Sequence, residues 1–388
     1  MAASPGFSAA IFLLLFGTRP EAIKFAPLVR ELRARGSEVL LVATGQHPEL
    51  AGAMLQEVGL EVDVDLGIQR DGSTPADLLA RILQRLPPLI ARARPAMLLV
   101  QGDTVSALGG ALAASYAQVP VGHVEAGLRT GNRAEPFPEE HQRIMIGALA
   151  SLHFAPTERA AAALRAEGVA ESAIHVTGNT GIDALMASVA RLGSTPLLQY
   201  AMAARFAPIL ADGRPLLLAT IHRRENQGAR LGAISAALAA IAGQGRMQIV
   251  MPLHPNPRVK AHFKARLAGL PGVHLLPAIS HAEMLWLMQR ARLLLTDSGG
   301  LMEEAPALGL RTLVARKCSE RPEAVDCGAA TLVGHRTNVI LEAVAAALAG
   351  PPIPPMFPFG DGRAVWRIAN HLEAALGRPV ERRALQPA

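Results

Sequence analysis

Cysteine is nearly absent. Cys318 and Cys327 are the only two in 388 residues, too few for a disulfide framework and set beside no histidine or cysteine at metal-ligand spacing. They fit a reducing compartment. Aromatic residues are scarce at 4%, which leaves little with which to stack bases. The arginines behind the formal charge of +6 are scattered along the chain instead of gathered in one stripe. The positive balance therefore suits a phosphorylated small molecule better than a nucleic acid. Long apolar runs are missing too, so no segment has the length to cross a bilayer. A secretory leader would need a basic residue before its apolar core. None precedes Ile11, and Arg19, Glu21 and Lys24 follow the run where small residues would mark a cleavage site. The expectation is a cytoplasmic protein with no membrane segment.

What the sequence does contain is apolar residues, 50% against 18% charged, as a globular chain requires. At this length one hydrophobic core is too small, and two domains are expected. Short Val/Leu/Ile runs recur with helical stretches between them. "AIFLLLFG", "EVLLVATG", "AMLLVQGD", "VPVGHVEAG", "LHFAPT" and "IHVTGN" come first, then "PLLLATIHR", "MQIVMPLHP", "VHLLPAI", "ARLLLTDSGG", "RTLVARK" and "ATLVG". Continuous apolar strands alternating with helices predict parallel sheets covered on both faces, hence an α/β fold. The opening stretch illustrates the unit: a strand, a turn at Gly17, and a helix started by Pro20 with Ile23, Ala26, Pro27, Leu28 and Leu32 on one side. Two Rossmann-like domains are expected, residues 1–178 and 179–361. The amphipathic segment 362–377 is able to pack on the first, and 378–388 forms a tail.

Ligands of such sheets bind beyond the carboxyl ends of the strands, and polar residues cluster there. Arg19 and Lys24 follow the first run, Gln46 and His47 the second, Asp103 the third, His123 and Glu125 the fourth; His222, Arg223 and Arg224 follow one strand of the second half, His254 another, Ser298 and Gly299 a third. The cleft between the domains is the expected site. In "TDSGGLMEEAPALG" a strand ends at Asp297, and Gly299 and Gly300 let backbone approach a ligand at a helix start, whose free N–H groups and dipole favour an anion. A plain turn capped by Ser298 is the alternative. The stretch has neither the Lys-Ser/Thr of a P-loop nor a dinucleotide fingerprint, so it suggests a diphosphate seat without tightly held magnesium. Glu304, one turn on, is placed to accept from ribose hydroxyls. Asp103 and Glu125 supply carboxylates for proton transfer, Glu139 reads equally as a third such acid or as a solvated helix-start charge, and Glu140 reads as a solvated charge at a helix start. For Lys24 simple surface solvation is the alternative. His222, between a strand and two arginines, is a candidate for chemistry, and the histidines sit on separate loops, unlike a zinc site.

Together "GTRPEAIKFAPLVREL", "TGQH", "QGDT", "GHVEAGLRTGN", "EPFPEE", "VTGNTGIDAL", "HRREN", "HPNP", "TDSGGLMEE" and "ERPE" resemble the non-hydrolysing UDP-N-acetylglucosamine 2-epimerase family. The resemblance spans almost the whole chain. It implies a glycosyltransferase-B-like pair of domains around a cleft, a homodimer, and interconversion of UDP-GlcNAc and UDP-ManNAc without cofactor, metal or nicotinamide, supplying precursors for surface polysaccharide. It further implies catalytic roles for Asp103, Glu125, Glu139 and His222, and substrate contacts from Arg19, Lys24, His254, Ser298, Gly299, Gly300 and Glu304. There are departures. Pro48 replaces the usual Arg after "GQH", Ser73 a usual Gln, Gln142 an Asn and Met302 a Gln; the first two fall where bacterial relatives hold a second, activating nucleotide sugar. A modified UDP-GlcNAc derivative as substrate, a glycosyltransferase of the same architecture, a non-catalytic sugar-nucleotide sensor and a hydrolysing epimerase are the alternatives.

Overall fold

The computed structural model describes residues 11–46, 59–70, 72–134, 136–223, 226–254 and 256–378. His47 and Pro48, named above, lie outside them, as does Arg224. The chain forms two compact units, Met1–Ala184 with Gly360–Ala388, and Leu185–Phe359.

The first unit is built on a parallel sheet of seven strands: β1 Ile11–Phe16, β2 Glu38–Ala43, β3 Val64–Asp65, β4 Met97–Gln101, β5 Val121–Val124, β6 Leu152–Ala155 and β7 Ile174–Val176. Their spatial order is β3-β2-β1-β4-β5-β6-β7, and every pairing is parallel. The continuous apolar runs are explained by cover on both faces. Helix Arg19–Ala34 packs on one, where Phe12, Leu14, Leu41 and Leu99 meet Phe25, Leu28, Val29 and Leu32. Helices Pro75–Ala93 and Val105–Tyr116 cover the other, against Leu13, Leu15, Leu98 and Val100. In the first helix Ala26, Leu28 and Leu32 are buried as expected, Ile23 and Pro27 are half-buried, and Ala22, Phe25 and Val29 extend the core face. β3 is two residues long, too short to leave a sequence signal.

The closing helix Ala364–Ala375 belongs to this unit. Ile368, Ala369 and Leu372 enter the same core as Phe12 and Phe25, each large apolar side chain contributing about 1.5–3 kcal/mol on burial. Asp183 accepts from the N–H groups of Ala364 (3.2 Å) and Val365 (3.1 Å) at the helix start. Arg35 donates to Asn370 and Glu373 further along. His371 stacks on His175 at 3.8 Å between ring centroids.

The second unit repeats the plan with six strands: β8 Leu216–Thr220, β9 Gln248–Pro252, β10 Val273–Leu276, β11 Leu293–Thr296, β12 Thr312–Val314 and β13 Ala330–Leu332. Their order is β10-β9-β8-β11-β12-β13, again parallel throughout. In each sheet the winding reverses once, between β1 and β4 in the first unit and between β8 and β11 in the second. In open α/β sheets that reversal, at the carboxyl ends of the strands, is where ligands sit, because the flanking loops diverge to opposite faces and leave a crevice.

Candidate active site

The β1/β4 switch point carries Gly17, Arg19 and Asp103. A Cβ on Gly17 would collide with the Ser106 hydroxyl, and this close approach explains the glycine. Just beyond it Glu21 is buried and accepts from Gly17 N (3.0 Å), Thr18 N (2.7 Å) and Thr18 Oγ1 (2.7 Å) through one oxygen, and from Thr104 Oγ1 (2.7 Å) through the other. Burial pushes this carboxyl up to about 7, against the pull of those hydrogen bonds. In the sequence Glu21 is only a charge after the first strand; its reach to the next loop has no linear signal.

Asp103 follows β4 across Gly102, whose φ is +67°. It accepts from Arg143 Nη2 (2.6 Å) and Nε (3.2 Å). Arg143 also donates to Glu140 Oε2 (2.9 Å), and Glu140 in turn accepts from the backbone of Thr130 and Gly131. Glu140 is 1% exposed. The expectation of a solvated helix-start charge is therefore wrong: the residue belongs to the scaffold, because loop 128–134 folds over the helix start and needs an acceptor there. Arg143, inside "EEHQR", stands three residues after Glu140 on one helix, a readable spacing, but its reach to Asp103 has no linear signal. His123 donates from Nε2 to the carbonyl of Gly102 at 2.7 Å. Burial pushes its imidazole down to about 3, so it stays neutral and holds the turn before Asp103.

Glu125, first residue after β5, is 8% exposed with φ +65°, a left-handed conformation that is costly away from glycine. Its Oε2 accepts from Lys24 Nζ and from Gln101 Nε2, each at 2.5 Å. Lys24 is thus not a solvated surface residue: the helix brings it back over the sheet edge, with 13% of its side chain exposed. Glu139 opens helix Glu139–Leu149 and is half-buried. The structure gathers Asp103 and Glu125, on adjoining loops, and Lys24, from the first helix, at one sheet edge, each held by a buried partner, with Arg19 half-buried at the start of that helix.

The β8/β11 switch point carries His222, Arg223, Asp297 and Ser298. Asp297 is fully buried and accepts from His222 N (3.0 Å), Arg223 N (2.9 Å) and Asn226 Nδ2 (2.9 Å), with His222 Nδ1 at 3.3 Å. One carboxylate therefore ties the β8 loop to the β11 tip. The His222 and His254 rings lie parallel with centroids 5.3 Å apart. Helix Gly299–Ala307 starts at Ser298, whose hydroxyl makes no capping hydrogen bond, so the first-turn N–H groups are left for another acceptor. A Cβ on Gly299 would stand 2.5 Å from Arg321 Nη1, whereas one on Gly300 would meet nothing closer than 4.0 Å. Arg321 itself is clamped by Glu303 (2.6 Å) and by Glu320, which also engages Arg316 (2.9 Å). Glu304 faces His281, Oε1 to Nε2 3.4 Å. The ion cluster at Glu303, Arg316, Glu320 and Arg321 is buried; three of its members lie within six residues, two of them inside "ERPE", but the contact of Arg321 with Glu303 joins two separate motifs and is not legible in the sequence. No group of three or more metal-ligating side chains occurs among the described residues.

Residues 30–373 match the family model described as UDP-N-acetylglucosamine 2-epimerase. The chain is 42% identical over 368 residues to UDP-N-acetylglucosamine 2-epimerase of Yersinia pestis, covering 93% of this chain and 98% of that one. The chain belongs to the UDP-N-acetylglucosamine 2-epimerase family. Among solved members, the Neisseria meningitidis UDP-GlcNAc 2-epimerase bound to UDP-GlcNAc superposes with a TM-score of 0.89 at 36% identity, covering 95% of this chain and 100% of that one. The Methanocaldococcus jannaschii enzyme, in complex with UDP-GlcNAc and UDP, gives 0.84 at 31%, covering 94% and 99%. As in those epimerases, the architecture is α/β and glycosyltransferase-B-like. For this family member no described helix is long and apolar enough to cross a membrane.

Proposed function

We propose that the protein interconverts UDP-N-acetylglucosamine and UDP-N-acetylmannosamine by eliminating and re-adding UDP. The carrying observation is that each sheet reverses at a strand edge bearing half of the required chemistry: Asp103, Glu125 and Lys24 at one, His222 and the uncapped helix start at Ser298 at the other. Family membership and the UDP-GlcNAc bound to the Neisseria meningitidis relative support the reading.

The C2 proton of the sugar has no neighbouring carbonyl to acidify it, so rupture of the C1–O bond leads and positive charge builds at C1. Carboxylates beside the ring stabilise such a charge. UDP departs with the bonding pair, and its growing negative charge suits the Ser298 hydroxyl and the N–H groups at Gly299 and Gly300 together with Arg19, Lys24, His222 and His254. A base removes the C2 proton to leave the 1,2-unsaturated sugar. An acid returns a proton to the opposite face of C2, and UDP oxygen re-adds to C1. Asp103, Glu125 and Glu139 are the proton carriers in this scheme, and Glu304 receives the ribose hydroxyls. The reaction uses no cofactor. Tyr116 and Met145, exposed apolar side chains on the neighbouring helices 105–116 and 139–149, are consistent with a homodimer; the setting is the cytoplasm and the product a precursor for polysaccharide.

Incubation with UDP-GlcNAc in heavy water, followed by NMR of C2, tests the reading. Deuterium should enter C2 as UDP-ManNAc accumulates. Full recovery of undeuterated UDP-GlcNAc from folded, UDP-binding protein would end it.

A further inference from the structure

Asp103 sits on a loop, and a loop needs something to hold it. Three buried side chains do so: Arg143 at its carboxylate, His123 at the carbonyl of the preceding Gly102, and Glu21 at the hydroxyl of the following Thr104. The third comes from another strand tip. Glu21 and Thr18 form a capping box at the start of helix Arg19–Ala34, a local device that explains the bonds of one oxygen. It does not explain the other oxygen, which reaches 83 residues along the chain to Thr104 Oγ1 at 2.7 Å. Thr104 meanwhile accepts from Ala107 N at 3.0 Å as cap of helix Val105–Tyr116. A single buried carboxyl thus joins the Gly17–Thr18 turn before Arg19 to the loop of Asp103 across the switch point. No ion pair with Glu21 occurs among the described residues, so charge pairing does not account for its place there.

We propose that Glu21 is a positioning residue for the epimerisation, fixing Asp103 against the β1 loop through Thr104. The inference rests on the functional reading above. The tether is indifferent to the ionisation of Glu21: as a carboxylate it accepts from Thr104, and as an acid it donates to it, the hydroxyl turning to suit. Glutamine offers the same pattern, its carbonyl to the Gly17 and Thr18 N–H groups and its amide to Thr104 Oγ1.

The test combines Glu21→Ala, Glu21→Gln, Thr104→Val and the double variant Glu21→Ala/Thr104→Val. Misplacing a catalytic group by about an ångström costs on the order of 100-fold in turnover. Glu21→Ala and Thr104→Val should each lower kcat toward that extent, with KM within about twofold of wild type, and the double variant should lose clearly less than the product of the two single losses, because both cut one tether although each also removes a helix-cap contact of its own. Glu21→Gln should keep kcat within about threefold, the rescue that hydrogen bonding without charge allows. Losses that multiply in the double variant, or a Glu21→Gln protein as poor as Glu21→Ala, would overturn the proposal. If Glu21→Ala fails to fold, Thr104→Val against wild type decides: unchanged kcat rejects it. Amide hydrogen exchange over residues 102–107 needs no substrate and should quicken in Thr104→Val and Glu21→Ala but not in Glu21→Gln. Unaltered exchange removes the tether whatever the reaction. Exchange that behaves as expected in a protein whose wild type moves no deuterium into C2 supports the tether and rejects the epimerase reading instead.

Discussion

Lys24 Nζ lies 2.5 Å from Glu125 Oε2, and Gln101 Nε2 lies equally close to the same oxygen. Two donors on one oxygen fix the orientation of the carboxylate, on a residue whose backbone is held in the left-handed region. Such an arrangement orders a carboxylate at some conformational cost.

Glu125→Gln keeps the shape and removes the proton-transfer capacity. Turnover should fall by about 10² to 10⁴-fold, while UDP affinity measured by calorimetry changes little. A variant with near-normal turnover would take Glu125 out of the proton-transfer role.

Arg143 bridges the carboxylates of Asp103 and Glu140 from a buried position. Truncation to alanine leaves Glu140 buried with only its two backbone donors, and loss of one partner of a buried pair costs about 3–5 kcal/mol. Thermal denaturation of Arg143→Ala should show a melting temperature several degrees below wild type. An unchanged melting curve would mean that Glu140 finds water, and that the bridge is unimportant for stability.

Gly299 and Gly300 are adjacent but meet different surroundings. Alanine at Gly299 pushes on Arg321 and its buried acids, so stability should fall by about 1–3 kcal/mol. Alanine at Gly300 points into open space and should leave the melting temperature alone while weakening UDP binding, its methyl group occupying the diphosphate's approach. Calorimetric UDP titration of both variants, beside their melting curves, checks the contrast. Equal UDP affinity in Gly300→Ala and wild type would move the diphosphate elsewhere.

Asp183, buried under the closing helix, is pushed up by that burial from 3.8 to about 6. Folding therefore favours its protonated form. Its contribution is fully present below about pH 4 and is lost as pH rises through about 6. A rise of that size corresponds to roughly 3 kcal/mol. His123, His175 and His371 run the other way: burial pushes them down, so their contribution is lost as pH falls below 6.5. The comparison of Asp183→Asn with wild type isolates the first effect. The stability difference between them should move in favour of the variant from pH 4 to pH 7 in paired denaturant titrations. A difference constant across that range would contradict the assignment.

The sequence by itself determined the class of fold and the order of its parts. Apolar runs such as "FLLLF" and "LLLAT" are self-explaining, since a strand covered on both faces tolerates no polar alternation, and the glycines at 17, 299 and 300 mark the turns where strand passes to helix. Asp103, Glu125, His222 and Ser298 are legible for the same reason: a polar residue directly after a buried run stands at a strand tip. Tertiary structure alone decided which of these groups touch. Glu140 reads as a surface charge because its burial comes from a loop ten residues upstream, and Arg143 reads only as a helical neighbour of Glu140 because its other acid, Asp103, lies 40 residues away on another element. Glu21, Asp297 and Arg321 hold loops from separate strands together. Their partners are 71 to 83 residues away for the first two and 18 away for the third. Periodicity reports only the face that a residue presents within its own helix or strand; the contacts that hold this site arise where parallel strands distant in sequence end side by side.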